Sequence, residues 1–479
     1  MKAKTRVTLA ALAGVPFILV LGNSMLIPVL PQMKSALNIS QFQVSLVITV
    51  FSFAAGLVIP FAGFLSDRIS RKMIIVPSLI LYGIGGIVAL LGILVLNNNS
   101  YLVIMAGRVL QGIGAAGTAP IAMALSSDIF ISGERSKALG VLEASNGLGK
   151  VVSPILGSLV GIIAWYAAFF VFPVLCIPAA LAVWFLVKDP TTNKKGQTVK
   201  AYLTALKKIF KGKGFHLLCA FFAGSVVLYA LFGTLFYLSD YLETKYGLEG
   251  VRKGFVLAIP VLAISATSLI TGIITQRKNH NYKLLVVTGI ILLGTSNFTI
   301  PFFINNTYIL ISALVIGGIG GGLVLTCLNT IITSTVVMAE RGMITSIYGA
   351  VRFFGVAIGP PVFGILMEKS NLLTFGTTGG LAVTAAVLAF LGIKQEFYQQ
   401  QEKDSETNEI DHPTWGEIVF DTITLRNTLG KLLIRPALKP KPEKINKKQE
   451  IAEAEYAGSS SSTRQDVSSS KRQKKTKDE

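Results

Sequence analysis

The ten residues from Gly63 to Lys72 read GFLSDRISRK. One carboxylate, Asp67, stands there with three cations, Arg68, Arg71 and Lys72, between two runs of almost purely apolar residues, Phe42 to Ala62 and Met73 to Leu96. Each run has about the 20 residues that a helix needs to cross a ~30 Å hydrocarbon core. The charges are therefore held at a membrane edge, in a short loop that joins two spanning helices.

Composition agrees with that reading. Hydrophobic residues make up 52% of the chain and charged residues 14%, with a mean hydropathy of +0.62, whereas a soluble domain is about 25% charged. The chain reads as an all-α integral membrane protein. Its first apolar run, Leu9 to Pro31, is too long for a signal peptide and is taken as the first span. Cys176, Cys219 and Cys327 fall singly inside predicted spans, without CxxC spacing, so neither a disulfide framework nor a metal site is expected. His216 and His280 sit near span ends and His412 in the tail, which leaves proton chemistry to carboxylates. The net charge of +19 does not indicate nucleic acid: from residue 394 onward 16 Lys and Arg face 15 Asp and Glu, so the excess belongs to the loops of the membrane part.

Twelve spans fit the pattern, near residues 9–31, 42–63, 73–96, 101–126, 137–161, 165–187, 214–238, 254–275, 283–304, 307–335, 344–367 and 374–393. With the N-terminus in the cytoplasm, inner segments before the tail hold 20 Lys and Arg and outer loops five. This asymmetry satisfies the positive-inside rule and puts both termini inside. The segment 188–213, with eight lysines, reads as a cytoplasmic linker between a bundle at 1–187 and another at 214–395. The halves repeat at an offset of 206: QGIGAAG from Gln111 matches GGIGGGL from Gly317, Glu134-Arg135 matches Glu340-Arg341, and Gly149 and Pro154 match Gly355 and Pro360. Two pseudo-symmetric six-helix bundles of this kind suit a transporter that rocks its halves about a central cavity. The cytoplasmic tail, 396–479, differs in character. Its stretch 415–435 fits an interfacial helix or a weakly structured linker equally well, and the Ser/Lys-rich end from Gly458 is expected to be disordered.

GFLSDRISRK resembles the GxLxDRxGRK signature of the major facilitator superfamily, with Ser70 in place of its second glycine. RVLQGIGAAG from Arg108 resembles the helix-four RxxQGxGxA signature of that family's proton-coupled drug exporters. GKVVSPILGS from Gly149 resembles the antiporter GxxxGPxxGG pattern, though Ser153, Ser158 and Lys150 depart from it, and GVAIGPPVFG from Gly355 keeps more of it. The likeness covers residues 1–395. It implies the twelve-helix fold, alternating access and a proton gradient as energy source, with no cofactor. It also implies that Asp67 stabilises the outward-facing state and that Arg108 takes part in proton relay.

The residues carry their own arguments. Asp67 with Arg68, Arg71, Lys72 and the neighbouring Gly63 forms a cytoplasmic gate in one reading and solvated topology charges in the other. Gly112 and Gly149 allow close helix approach, and Pro154, Pro360 and the adjoining Gly355 mark bent helices. Charges inside spans each cost roughly 2.5 to 3.5 kcal/mol and belong against protein or water. These are Arg108, Glu143, Lys150 and Arg352. Glu143, Asn146 and Lys150 share a helical stripe, and the repeat sets Arg352 opposite Asn146. Glu143 is the one carboxylate well inside a span, so it is the candidate coupling residue, with a structural ion pair to Lys150 as the competing role. For Arg108 the competing role is a contact to Asn23 or to a helix-one carbonyl. Asn23, Asn146, Lys150 and Arg352, with Tyr229, Phe232 and Phe236, are the candidate cavity residues; the aromatics serve equally as packing.

The expectation is a bacterial plasma-membrane secondary transporter, monomeric and surrounded by lipid, that exports small amphipathic compounds against protons. Alternatives are an exporter of an anionic metabolite such as a siderophore, a lipid-linked headgroup flippase, or a membrane sensor or scaffold acting through the tail. An enzyme is not expected, since no nucleophile with a base, metal cluster or phosphate loop is present.

Overall fold

The computed structural model describes residues 3–66, 68–96, 100–130, 133–188, 199–275, 281–336 and 340–394. Asp67, the core of the linker and the tail, including 415–435, lie outside them. Among the described residues the chain is helical throughout, without strands. The first crossing is α1 (Ala3–Ser24), a 3-10 turn at Ile27–Val29 and α2 (Leu30–Leu37). Pro28 and Pro31 lack the N–H groups that would continue α1, so the helix breaks there. Next come α3 (Gln41–Ser66) and α4 (Lys72–Val95). The fourth crossing is also broken, into α5 (Ser100–Ala116) and α6 (Ala119–Ile129), where Pro120 starts the second piece. The first half closes with α7 (Gly133–Gly161) and α8 (Ala167–Leu186).

The second half holds α9 (Val199–Tyr246), α10 (Gly250–Ile274), α11 (Tyr282–Phe303), α12 (Thr307–Thr335), α13 (Arg341–Met367) and α14 (Asn371–Gly392). Residues 199–213 of the expected linker are thus helical and run directly into the seventh crossing. Eleven of these crossings are long and apolar enough to span a membrane unaided. The twelfth is α7, 29 residues long, which carries Glu143 and Lys150 within its length. Its polarity is bearable only because the bundles around it bury or hydrate those charges.

Two seams join the halves: α3 lies along α13, and α7 lies along α10. Shifted by 206 residues, each seam becomes the other, so the internal repeat of the sequence is built into the packing. On the first seam, the Thr49 hydroxyl donates to the Ala357 carbonyl at 2.7 Å, and Gly63 sits against Ser346. On the second, Gly254 seats on the Pro154 carbonyl and the Ser158 side chain. Glycine is required where helices touch this closely inside one half as well. A methyl at Gly112 would collide with the Phe51 carbonyl, and one at Gly355 with the Ser225 carbonyl.

Candidate functional site

The charged stripe of α7 is oriented by its neighbours. The Ser145 hydroxyl donates to the Ala13 carbonyl at 2.7 Å, and Gly149 rests on Phe17, which fixes one face on α1. Gly147 and Pro154 turn toward Ser265 and Gly254 of α10. Asn146, Lys150 and Glu143 fall on the arc between those two faces, toward the molecular centre, while Leu148 and Leu159 point outward. Glu143 is exposed there, and Asn146 and Lys150 are half-buried. An exposed carboxylate on a centre-facing arc means that the two halves leave a gap beside it.

Arg352 enters from α13. Glu143 and Arg352 are the charged groups close enough to Lys150 to act on it. The Arg352 guanidinium lies 5.3 Å from the Tyr348 ring centre, and its Nε is buried without a hydrogen-bond partner among the described residues. Two cations and one carboxylate from two different bundles therefore lie near one another, with the carboxylate exposed. Such a trio can hold acidic groups of a small molecule and exchange a proton at the carboxylate.

Arg108 belongs elsewhere. It is 0% exposed inside the first bundle. Its Nε donates to the Val47 carbonyl at 2.8 Å, Nη1 to the Gly22 carbonyl at 3.0 Å and to Gln111 Oε1 at 2.7 Å, and Nη2 to Asn23 Oδ1 at 2.9 Å. Asn23 in turn donates to Ser52 at 2.8 Å, and the Phe51 ring lies 4.3 Å under the guanidinium. Asn23 and Arg108 thus tie α1, α3 and α5 together through neutral acceptors. Gln111 and Ser52 complete this network; only Gln111 is marked by the sequence motif.

At the loop after α3, Arg68 stacks 4.1 Å from the Phe64 ring. Arg71 pairs with Asp128 at the end of α6, 3.2 Å away. Lys72 donates to the Val187 carbonyl at 2.9 Å, satisfying an acceptor left over at the end of α8. Asp128 went unnoticed in the sequence because no motif residue marks it.

The opposite end of the molecule is closed by residues that the sequence reading counted only as loop charges or omitted. Lys253, 1% exposed, pairs with Glu243 at 2.6 Å within the second half. It also donates to the Pro28 carbonyl of the first half at 2.8 Å. Beside it the Ser239 hydroxyl donates to the Ile27 carbonyl at 2.7 Å. Two carbonyls of the turn that breaks the first helix thus accept hydrogen bonds from the other bundle. Of the candidate aromatics, Tyr229 and Phe236 are buried on α9. Tyr229 packs 5.9 Å from Phe363 of α13, and a partly buried Phe232 is left as the more accessible ring. Pro154 and Pro360 lie inside α7 and α13. Among the described residues, no three His, Cys, Asp or Glu side chains gather to hold a metal.

Two related helical bundles around a charged, partly open centre define a membrane transporter. Comparison with known proteins gives its family: the Major Facilitator Superfamily model matches residues 12–336 and 253–442, and the chain belongs to that superfamily. It is 44% identical over 367 residues to a protein of Bacillus subtilis (strain 168) named bacillibactin exporter, covering 76% of this chain and 91% of the relative. It is 29% identical over 378 residues to the multidrug efflux protein YfmO of the same organism, covering 78% and 89%. Its place in the superfamily is among exporters. The fold matches a bacterial homolog of the human lysosomal transporter Spinster, crystallised inward-facing and unoccupied, with a TM-score of 0.66 at 16% identity, covering 84% of this chain and 98% of that one.

Proposed function

We propose that this chain is a proton-coupled exporter of a siderophore or a similar small acidic metabolite, working by alternating access in the cell membrane of a bacterium. The observation that carries the reading is the trio of Glu143, Lys150 and Arg352, brought near one another from two bundles with Glu143 exposed. The 44% relative named for bacillibactin export supports the choice of substrate. The excess of lysine and arginine on one side favours cytoplasmic termini. In that orientation the end closed by Lys253 and Ser239 is the outer one, and Glu143 opens to the cytoplasm.

In this scheme Lys150 and Arg352 fasten acidic groups of the substrate, while a donor group of the substrate binds the ionised Glu143. A proton arriving from outside competes for that same carboxylate and evicts the substrate. Release of the proton inside restores the site. Residues 1–187 and 214–395 act as the rocking bodies, joined by 188–213, and one chain suffices because it encloses the whole route. The loop of Gly63, Asp67, Arg68, Arg71 and Lys72 is assigned to the inner gate.

The test uses inverted membrane vesicles energised with a pH gradient and supplied with bacillibactin. Uptake by wild type that collapses with a protonophore, and loses its dependence on the gradient in Glu143→Gln, is the expected result. Gradient-driven uptake that persists unchanged in Glu143→Gln would overturn the coupling role. Uptake of cationic dyes but not of bacillibactin would favour the multidrug reading that the 29% relative represents.

A further inference from the structure

α9 is 48 residues long, about 72 Å if straight at 1.5 Å per residue, more than twice the ~30 Å of a hydrocarbon core. It is not straight. The rings of Phe210 and Phe221 lie 6.4 Å apart, although a straight helix would set their Cα atoms about 16 Å apart. The bend lies between these two rings, a stretch in which Gly212 and Gly214 weaken the helix and the Phe210 ring packs over Gly214.

Before the bend the helix has two faces. Tyr202, Ala205, Leu206, Ile209 and Phe210 pack into the protein core. The Tyr202 ring meets Phe64 of α3 at 4.9 Å, so this segment reaches from the second bundle to the inner end of the first. The other face, Lys200, Leu203, Thr204, Lys207, Lys208 and Lys211, is exposed. Those positions follow the i, i+3, i+4, i+7 spacing of one helical stripe.

Beyond the bend the same stripe continues as Phe215, 63% exposed, and Leu218, 56% exposed. Large apolar side chains bare on a spanning helix are the surface that hydrocarbon covers. One turn separates Phe215 from Lys211, so the stripe passes from the hydrocarbon side to four lysines where lipid headgroups lie. Lys213 is excluded from this face because it donates to the Thr335 carbonyl and is held by α12.

We propose that the lysine face of residues 200–211 is a binding surface for anionic phospholipid headgroups, which hold this helix across the inner ends of both bundles. The occupant follows from position and charge together: the face is continuous with the lipid-covered side of α9, and an anionic leaflet attracts lysines placed within a Debye length of it. This goes beyond the export reading and does not depend on which substrate is carried.

The test follows thermal unfolding of the full chain in a neutral detergent on addition of phosphatidylglycerol or phosphatidylcholine. Phosphatidylglycerol should raise the midpoint by several degrees and phosphatidylcholine should not. The variant K200Q/K207Q/K208Q/K211Q should keep the lipid-free midpoint yet lose more than half of that rise, while the four-arginine variant K200R/K207R/K208R/K211R should retain it. Equal rises with both lipids, or a full phosphatidylglycerol rise in the glutamine variant, would overturn the proposal. So would a wild type that is blind to phosphatidylglycerol but responds once E402Q/D404N/E406Q/E409Q/D411N neutralises the chain's own acidic run, since that run would then be the occupant.

Discussion

At the scale of single residues, the two buried cations Arg108 and Lys253 answer different needs. Arg108 satisfies four neutral oxygens on three helices through one planar fork. Arg108→Lys keeps a charge but offers a single ammonium on a shorter fork-less stem, leaving some of those buried acceptors unpaired. Each unpaired group costs about 1–3 kcal/mol, so Arg108→Lys should lower the thermal midpoint in detergent clearly, and Arg108→Ala further. Equal midpoints would show that the network contributes little. Lys253 instead bridges bundles. Lys253→Met removes its bond to Pro28 while filling similar volume, and a loss of about 1–3 kcal/mol shifts a two-state balance roughly 5–150-fold toward the form with that end open. Faster labelling of a cysteine placed behind the latch would report it. Glu243→Gln should be worse for stability than Lys253→Met, because it leaves a buried ammonium without its carboxylate, whereas Lys253→Met leaves a carboxylate that still reaches water.

At the scale of elements, helix contact is governed by where side chains are missing. Gly355 of α13 sits on the Ser225 carbonyl of α9. Gly355→Ala inserts a methyl where backbone already is, at a typical cost of about 1–3 kcal/mol, whereas Gly376→Ala, with open space around it, should leave the unfolding midpoint unchanged. The twelve crossings were legible because apolar length is a one-dimensional property, and the kinship of the halves because of the repeat at offset 206; which helices meet along the seams was not. Less was legible at the broken helices. Pro28 and Pro120 announce breaks, but nothing in the chain tells that the carbonyls at 27 and 28 meet Ser239 and Lys253 more than 200 residues away. Lys253 reads as a loop charge next to Arg252 until the packing of α10 against the first helix buries it. For Arg108 the sequence shows a cation in a span and offers Asn23 or a helix-one carbonyl as its contact, but not the Val47 carbonyl and Gln111 that complete its shell. Tyr229 and Phe236 lie on the face of α9 that α13 and α14 cover, and helical spacing alone does not say which face that is.

At the scale of the whole molecule, the two halves are alike in backbone and unlike in charge. The repeat sets Leu314 where the first half has Arg108, and Gly317 where it has Gln111; at that position the first bundle is braced by a polar network and the second by apolar packing. A body braced internally can move as a unit, so motion is expected at the seams and at the latch. The latch residues approach closely enough, with the Ser239 hydroxyl 2.7 Å from the Ile27 carbonyl, for cysteines at 27 and 239 to be joined by a short bis-methanethiosulfonate, which bonds each of them through a disulfide. A cycle that alternates access must separate these two positions once per turnover. Cross-linked I27C/S239C should therefore lose at least nine-tenths of its transport and recover it on reduction of the disulfides, while each single variant transports normally. The native cysteines, Cys176, Cys219 and Cys327, are all buried, so they will not compete for the reagent. Undiminished transport by the cross-linked protein would mean that this end stays shut throughout the cycle, and that the substrate leaves by a route that does not pass between the bundles.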